Sequence, residues 1–194
     1  MADDAELVKR YNKLYLDVIM RYRDHIEESE HMHVAELPKL VTPDDEAVQL
    51  EAKNIAATLP SYRYDDNFPD AARIAFEYVR EKILSVSLPI QFWLLPRQTL
   101  SDGAGDVFDK AMLLCSLLIA LGNRSSKVII RTKGDDDKAF VVYAEFKDKI
   151  LSFDLERGIR EYANKDEMLN LLGIRDKGDI TAYEFNDKMY TDLS

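Results

Sequence analysis

The sequence predicts an α+β fold in which one buried helix packs on an antiparallel sheet, behind an N-terminal helical part. Two patterns carry that prediction. The run Ala111-Met112-Leu113-Leu114-Cys115-Ser116-Leu117-Leu118-Ile119-Ala120-Leu121 is apolar on nearly every face, and a helix without a polar face must be covered on most sides. Beyond Gly122 the period shortens. Lys127–Arg131, Ala139–Phe146 and Ile150–Asp154 are short runs rich in β-branched and aromatic residues, separated by the polar turns at 133–137 and 147–149. That succession predicts a meander of three or more antiparallel strands.

Three helices are expected ahead of this core. Leu7, Tyr11, Leu14, Tyr15, Val18, Ile19, Tyr22 and Ile26 recur at three and four residues, which predicts a long amphipathic helix from Asp4 to about Glu28. The polar stretch Glu27–His33 and then Pro38 make a connection. Thr42-Pro43-Asp44-Asp45 places a capping residue, a first-turn proline and an acid at the start of a second helix running to about Leu59. Phe68-Pro69-Asp70 opens a third, with Ile74, Phe76, Val79 and Ile83 inward, ending before Leu88-Pro89. The aromatic segment Ile90–Pro96 is expected to be extended or a packed loop. The buried helix then runs from Val107 to Leu121, with Gly122 as its left-handed cap. After the meander, Asp166–Leu172 forms a short helix and Ile180–Phe185 an edge strand. The chain divides at about residue 88 into a helical region (1–88) and the helix-and-sheet domain (89–194), within one compact unit.

Composition bounds the function. A chain of 194 residues, 46% hydrophobic and 32% charged, has room for one well-buried domain. A net charge of -10 argues against general binding to a phosphate backbone, so no nucleic-acid partner is expected. No stretch approaches the roughly 18 consecutive apolar residues of a membrane span. The acidic N-terminus is unlike a signal peptide, and a single cysteine, Cys115, leaves no internal disulfide, so the cytoplasm is the expected compartment.

The segment that bears on chemistry is Gly103-Ala104-Gly105-Asp106-Val107-Phe108-Asp109. A glycine turn running into an apolar helix is where a nucleophile meets unpaired backbone N–H groups. Upstream stands Phe92-Trp93-Leu94-Leu95-Pro96-Arg97-Gln98-Thr99-Leu100, and downstream Leu121-Gly122, Lys138-Ala139-Phe140-Val141-Val142 and Asp154. Over about residues 90–155 this order resembles the transglutaminase-like superfamily, which shares the papain-like cysteine protease fold, and it is most similar to archaeal and other prokaryotic members. The resemblance implies a cysteine nucleophile at the helix start, a histidine base opening the second strand and an orienting aspartate closing the third. Carried onto this chain, those places fall on Val107, Lys138 and Asp154. A thiolate needs its imidazole partner to exist at neutral pH, so loss of both implies a catalytically inactive member, a binding or scaffolding module for a protein or peptide.

Trp93, Asp106, Asp109, Lys138 and Asp154 are the candidate cleft residues; a Lys138–Asp154 ion pair would fill the vacated site, the alternative being that Lys138 closes a surface hairpin. The competing reading is a hydrolase or amidase using Asp106, Asp109 or Asp154 toward a water or metal. No cofactor or metal is expected. His31-Met32-His33 lacks a helical or strand ligand spacing and reads as a solvated connector, and Asp135-Asp136-Asp137 reads as a charged turn. Cys115, two turns into the helix, reads as a buried apolar residue. A third possibility is self-association through the tyrosine-rich face of the first helix.

Overall fold

The computed structural model describes residues 16, 19–24, 26, 33–86, 92–134, 137–175 and 179–193. Most of the expected first helix, His25, His31 and Asp135-Asp136 lie outside them. Tyr22, from the part of that helix which is described, is buried against Phe92 and Leu94, and its hydroxyl donates to Asp102.

Helix α1 spans Glu46–Ala57, capped by Asp45, whose carboxylate accepts from Ala47 N. Helix α2 spans Tyr64–Lys82 and is kinked at Asn67, so its straight part begins at Phe68, where Pro69 can sit in a first turn. The Asn67 side chain accepts from Arg63 N and donates to Ser61 O, which holds the kink. Strand β1 (Leu84–Ser85) pairs in parallel with β2 (Ala104–Gly105), and helix α3 (Pro96–Asp102) lies between them in sequence. Helix α4, Val107–Ala120, is the apolar helix, and all but its ends are buried.

The main sheet is antiparallel throughout, in the order β6-β5-β4-β3-β7-β8: β3 Lys127–Lys133, β4 Asp137–Phe146, β5 Lys149–Asp154, β6 Gly158–Tyr162, β7 Ile180–Phe185 and β8 Tyr190–Asp192. Period-two alternation gives it two apolar faces. Val128, Val142, Ala144, Phe153 and Phe185 join α4, α1 and α2 in one continuous core. Ile129, Tyr143, Ile150 and Ala182 face the other way and are covered by Met168 and Leu169 of helix α5, Lys165–Leu171.

Two local expectations are corrected, and two segments are filled in. Ile180–Phe185 is interior rather than an edge, because Asn186 accepts from Lys188 N and Met189 N and turns the chain back to add β8. Helix α2 stops at Lys82, well before Pro89, because Leu84 N turns away to donate to Gly103 O. Residues 96–102 are helical, with Pro96 at the first position and Gln98 accepting from Leu95 N. Val34–Leu40, expected as a connection, is a 3-10 helix that tolerates Pro38 in its interior.

Candidate functional site

The site begins with a glycine that cannot be replaced without movement. Gly103 ends α3 at φ 63°, in the left-handed region. Two residues on, a Cβ on Gly105 would stand 2.9 Å from Asp109 Cβ and 3.1 Å from Thr99 Cγ2. The chain therefore passes flush against the start of α4. There Asp106 and Asp109 form a reciprocal capping box: Asp106 Oδ1 accepts from Asp109 N at 2.8 Å, and Asp109 Oδ2 accepts from Asp106 N at 3.0 Å.

Asp109 is not part of the cleft wall. It is 3% exposed, and its Oδ1 accepts from Leu94 N at 2.8 Å, pinning the 92–95 segment to the helix. Burial, and then the neighbouring Asp106, push its carboxyl up to about 7 against the pull of those two N–H groups. Asp106 does line the large cleft.

Two hollows meet at the start of α4. The larger, about 690 Å³, runs from the 3-10 helix across Trp93, Val107 and Phe108 to Ile130, Thr132, Phe140 and Tyr183 on the sheet. Its walls are mostly aliphatic and aromatic. The smaller, about 90 Å³, is lined by Val107, Lys138, Ala139, Phe140, Asp154, Glu156 and Arg157. Val107, Lys138 and Asp154 thus share one depression, and Val107, Lys138 and Phe140 border both hollows. Trp93 packs against Phe108 at a tilt, 5.2 Å between centroids, and Phe108 meets Phe140 edge-on at 5.6 Å. This aromatic row is the floor of the large cleft.

Lys138 and Asp154 do not form an ion pair. Strand register sets Val141, three residues beyond Lys138, opposite Asp154. The Asp154 carboxylate instead closes its own turn: Oδ1 accepts from Glu156 N and Arg157 N, both at 2.9 Å, and Oδ2 lies 3.9 Å from Arg157 Nε. Cys115 is wholly buried in α4, and burial pushes its thiol up. His33 is exposed at the start of the 3-10 helix, and no histidine lines either hollow among the described residues. Among those residues no group of three His, Cys, Asp or Glu side chains is placed to hold a metal ion, and no helix is long and apolar enough to cross a membrane.

Several lining residues escaped the sequence reading. Ile130 and Thr132 share the parity of Val128 on β3, so alternation marks them as facing α4. Ser85, Val86, Val34 and Leu37 carry no such signal, because their segments reach the cleft only through tertiary packing. Lys110, on α4, is 3% exposed and donates from Nζ to Ile83 O at 2.8 Å, Ser85 Oγ at 2.9 Å and Arg80 O at 3.4 Å.

No protein-family model matches the chain, and no curated protein matches it. Among solved structures, it overlaps calcium-bound Legionella pneumophila LapG with a TM-score of 0.44 and 17% identity, covering 73% of this chain and 86% of that one. A second L. pneumophila LapG structure overlaps with a TM-score of 0.46 and 16% identity, over 82% and 87% of the two chains. Overlaps this loose assign neither an activity nor a ligand.

Proposed function

We propose that the chain is a transglutaminase-like protein whose cleft has lost its cysteine–histidine chemistry and serves to hold a polypeptide. The observation that carries this reading is the shared depression of Val107, Lys138 and Asp154, opening beside a largely apolar cleft of about 690 Å³. Valine supplies no lone pair and no titratable proton. An aromatic floor with a few polar groups at its rim suits a side-chain-bearing segment bound by apolar contact. The carboxylate-hydrolase alternative is disfavoured by the same geometry, since Asp106, Asp109 and Asp154 all accept from backbone N–H groups.

Trp93 is the single tryptophan and lines the cleft, so its emission reports occupancy. A pull-down with the wild-type chain and with Phe140→Asp is expected to retain a polypeptide on the wild type only. Titrating that polypeptide is expected to shift Trp93 emission saturably, with Phe140→Asp weakening binding about tenfold or more, a loss of about 1.4 kcal/mol. Binding indifferent to Phe140→Asp, or saturation without a Trp93 response, would remove the cleft from the proposal.

A restored thiol tests the other half. Val107→Cys places sulfur at a helix start, where the dipole contributes only about 0.3–1 kcal/mol. Its alkylation rate is expected to titrate at about 7.5–8.5, near a free cysteine and far from the values of about 3–4 reached beside an imidazole. Val107→Cys with Lys138→His is expected to move the titration well below that of the single variant. A single variant that already alkylates as a thiolate at pH 5 would show that the base has been misplaced.

A further inference from the structure

Ser85 stands on the rim of the large cleft at the end of β1, exposed, and the β1–β2 register sets it opposite Gly105. Paired strands lie about 4.8 Å apart, so this serine flanks the start of α4. Its Oγ is 2.9 Å from Lys110 Nζ, and the other two neighbours of that nitrogen are the carbonyl oxygens of Ile83 and Arg80. A neutral lysine amine has two N–H donors and one lone pair. As an ammonium Lys110 donates to Ser85 Oγ as well; once deprotonated it keeps the two carbonyls and turns its lone pair to the hydroxyl proton of Ser85.

The surroundings bring that state closer. Burial of Lys110 pushes its pKa below the ordinary lysine range. Desolvation of this kind is how lysines become bases. Val107 and Phe108 line the same cleft, and their N–H groups carry no hydrogen bond among the described residues, because Asp109 N donates to Asp106 Oδ1 and Lys110 N to Asp106 O. Nothing in the fold requires a serine to meet this lysine. Two backbone carbonyls already accept from it.

We propose that Ser85 and Lys110 form a nucleophile–base pair that takes an acyl group from an amide or ester carbonyl bound in the cleft, with Val107 and Phe108 N–H donating to the oxyanion. Ser85 Oγ attacks the carbonyl carbon as its proton passes to Lys110 Nζ, and the carbonyl π pair moves to oxygen. Collapse breaks the bond to the amine or alcohol, which leaves with the proton from Lys110. Water, deprotonated by the same amine, then hydrolyses the acyl-serine to a carboxylic acid and free Ser85. The acyl donor rests on the reading of the cleft as a polypeptide site, and the chemistry is independent of the lost thiol.

The probe is a biotinylated fluorophosphonate, which forms an O–P bond to an activated serine and releases fluoride. On the whole chain, one adduct is expected, mapped to Ser85 by mass and absent in Ser85→Ala. Lys110→Met is expected to slow labelling by about 10²–10⁴-fold, the usual contribution of a general base. Because Lys110 also holds the end of α2, the wild-type pH profile is the deciding measurement. The rate is expected to reach a plateau with a midpoint below the roughly 10.4 of free lysine. An adduct that persists in Ser85→Ala, no adduct at any pH, or a rate that climbs with hydroxide without a plateau would overturn the pair and leave Lys110 as an ammonium capping α2. Labelling and Trp93 titration are both read on the wild-type chain, so either idea can fail alone.

Discussion

Replacing Glu184 by alanine is expected to lower the unfolding free energy by about 3–5 kcal/mol, the cost of stranding buried charge. The Glu184 side chain is 5% exposed on β7, on the sheet face away from α4. Its Oε1 lies 3.1 Å from Lys127 Nζ, and its Oε2 accepts from Lys165 Nζ at 2.6 Å and from Tyr143 OH at 2.8 Å. Burial alone would raise this carboxyl. The bonds from Lys165 and Tyr143 and the charge of Lys127 outweigh burial and hold it below the ordinary glutamate value. Stability from a depressed carboxyl is present above the unfolded pKa and is lost as pH falls through the folded one. Lys165 is the first residue of α5 and also sits over the Tyr143 ring at 5.5 Å, so the cluster docks that helix on the sheet. Urea unfolding checks the loss. Replacing all three charged groups together (Glu184→Leu, Lys127→Met, Lys165→Met) is expected to recover most of it, because no charge is then left unpaired. Equal losses in the single and triple variants would mean that packing, rather than charge, holds the cluster.

The second large effect is a pH dependence of opposite sign. With its carboxyl raised to about 7, Asp109 favours the folded state when protonated. That contribution is full below the unfolded aspartate pKa of about 3.9 and is lost as pH rises through about 7. Wild-type stability is therefore expected to fall by about 2–3 kcal/mol between pH 5 and pH 8, since each tenfold change in proton affinity between the folded and unfolded chains is worth about 1.4 kcal/mol. Asp109→Asn keeps an acceptor for Leu94 N but loses the bond to Asp106 N. It is expected to cost about 1–3 kcal/mol at pH 5 and to flatten the slope, so that the two proteins converge near pH 8. A slope unchanged in Asp109→Asn would assign the dependence to other groups. The Glu184 contribution changes only in acid, so the two effects occupy separate windows.

The sequence carries the large pattern and loses the details that depend on distant partners. The apolar run 111–121 announced a covered helix, and the three runs after it announced strands, because burial and alternation are local in the chain. Asp106 and Asp109 were visible as polar residues at a helix start. Their division of labour was not: one lines the cleft and the other turns inward to Leu94, a partner fifteen residues away. Lys138 and Asp154 were placed in one depression, but register, which the sequence leaves open, decides that they do not pair. Ser85 lay beyond reach for the same reason. It reaches the cleft through a two-residue parallel pairing that no periodicity marks.

Cys115 bears on how the cleft can be studied. Sealed in α4 with its thiol pushed up by burial, the chain's one sulfhydryl is chemically silent in the folded state. The native protein is thus its own blank. A cysteine placed anywhere along the cleft will report alone, with no background to subtract, until the protein unfolds and Cys115 begins to react.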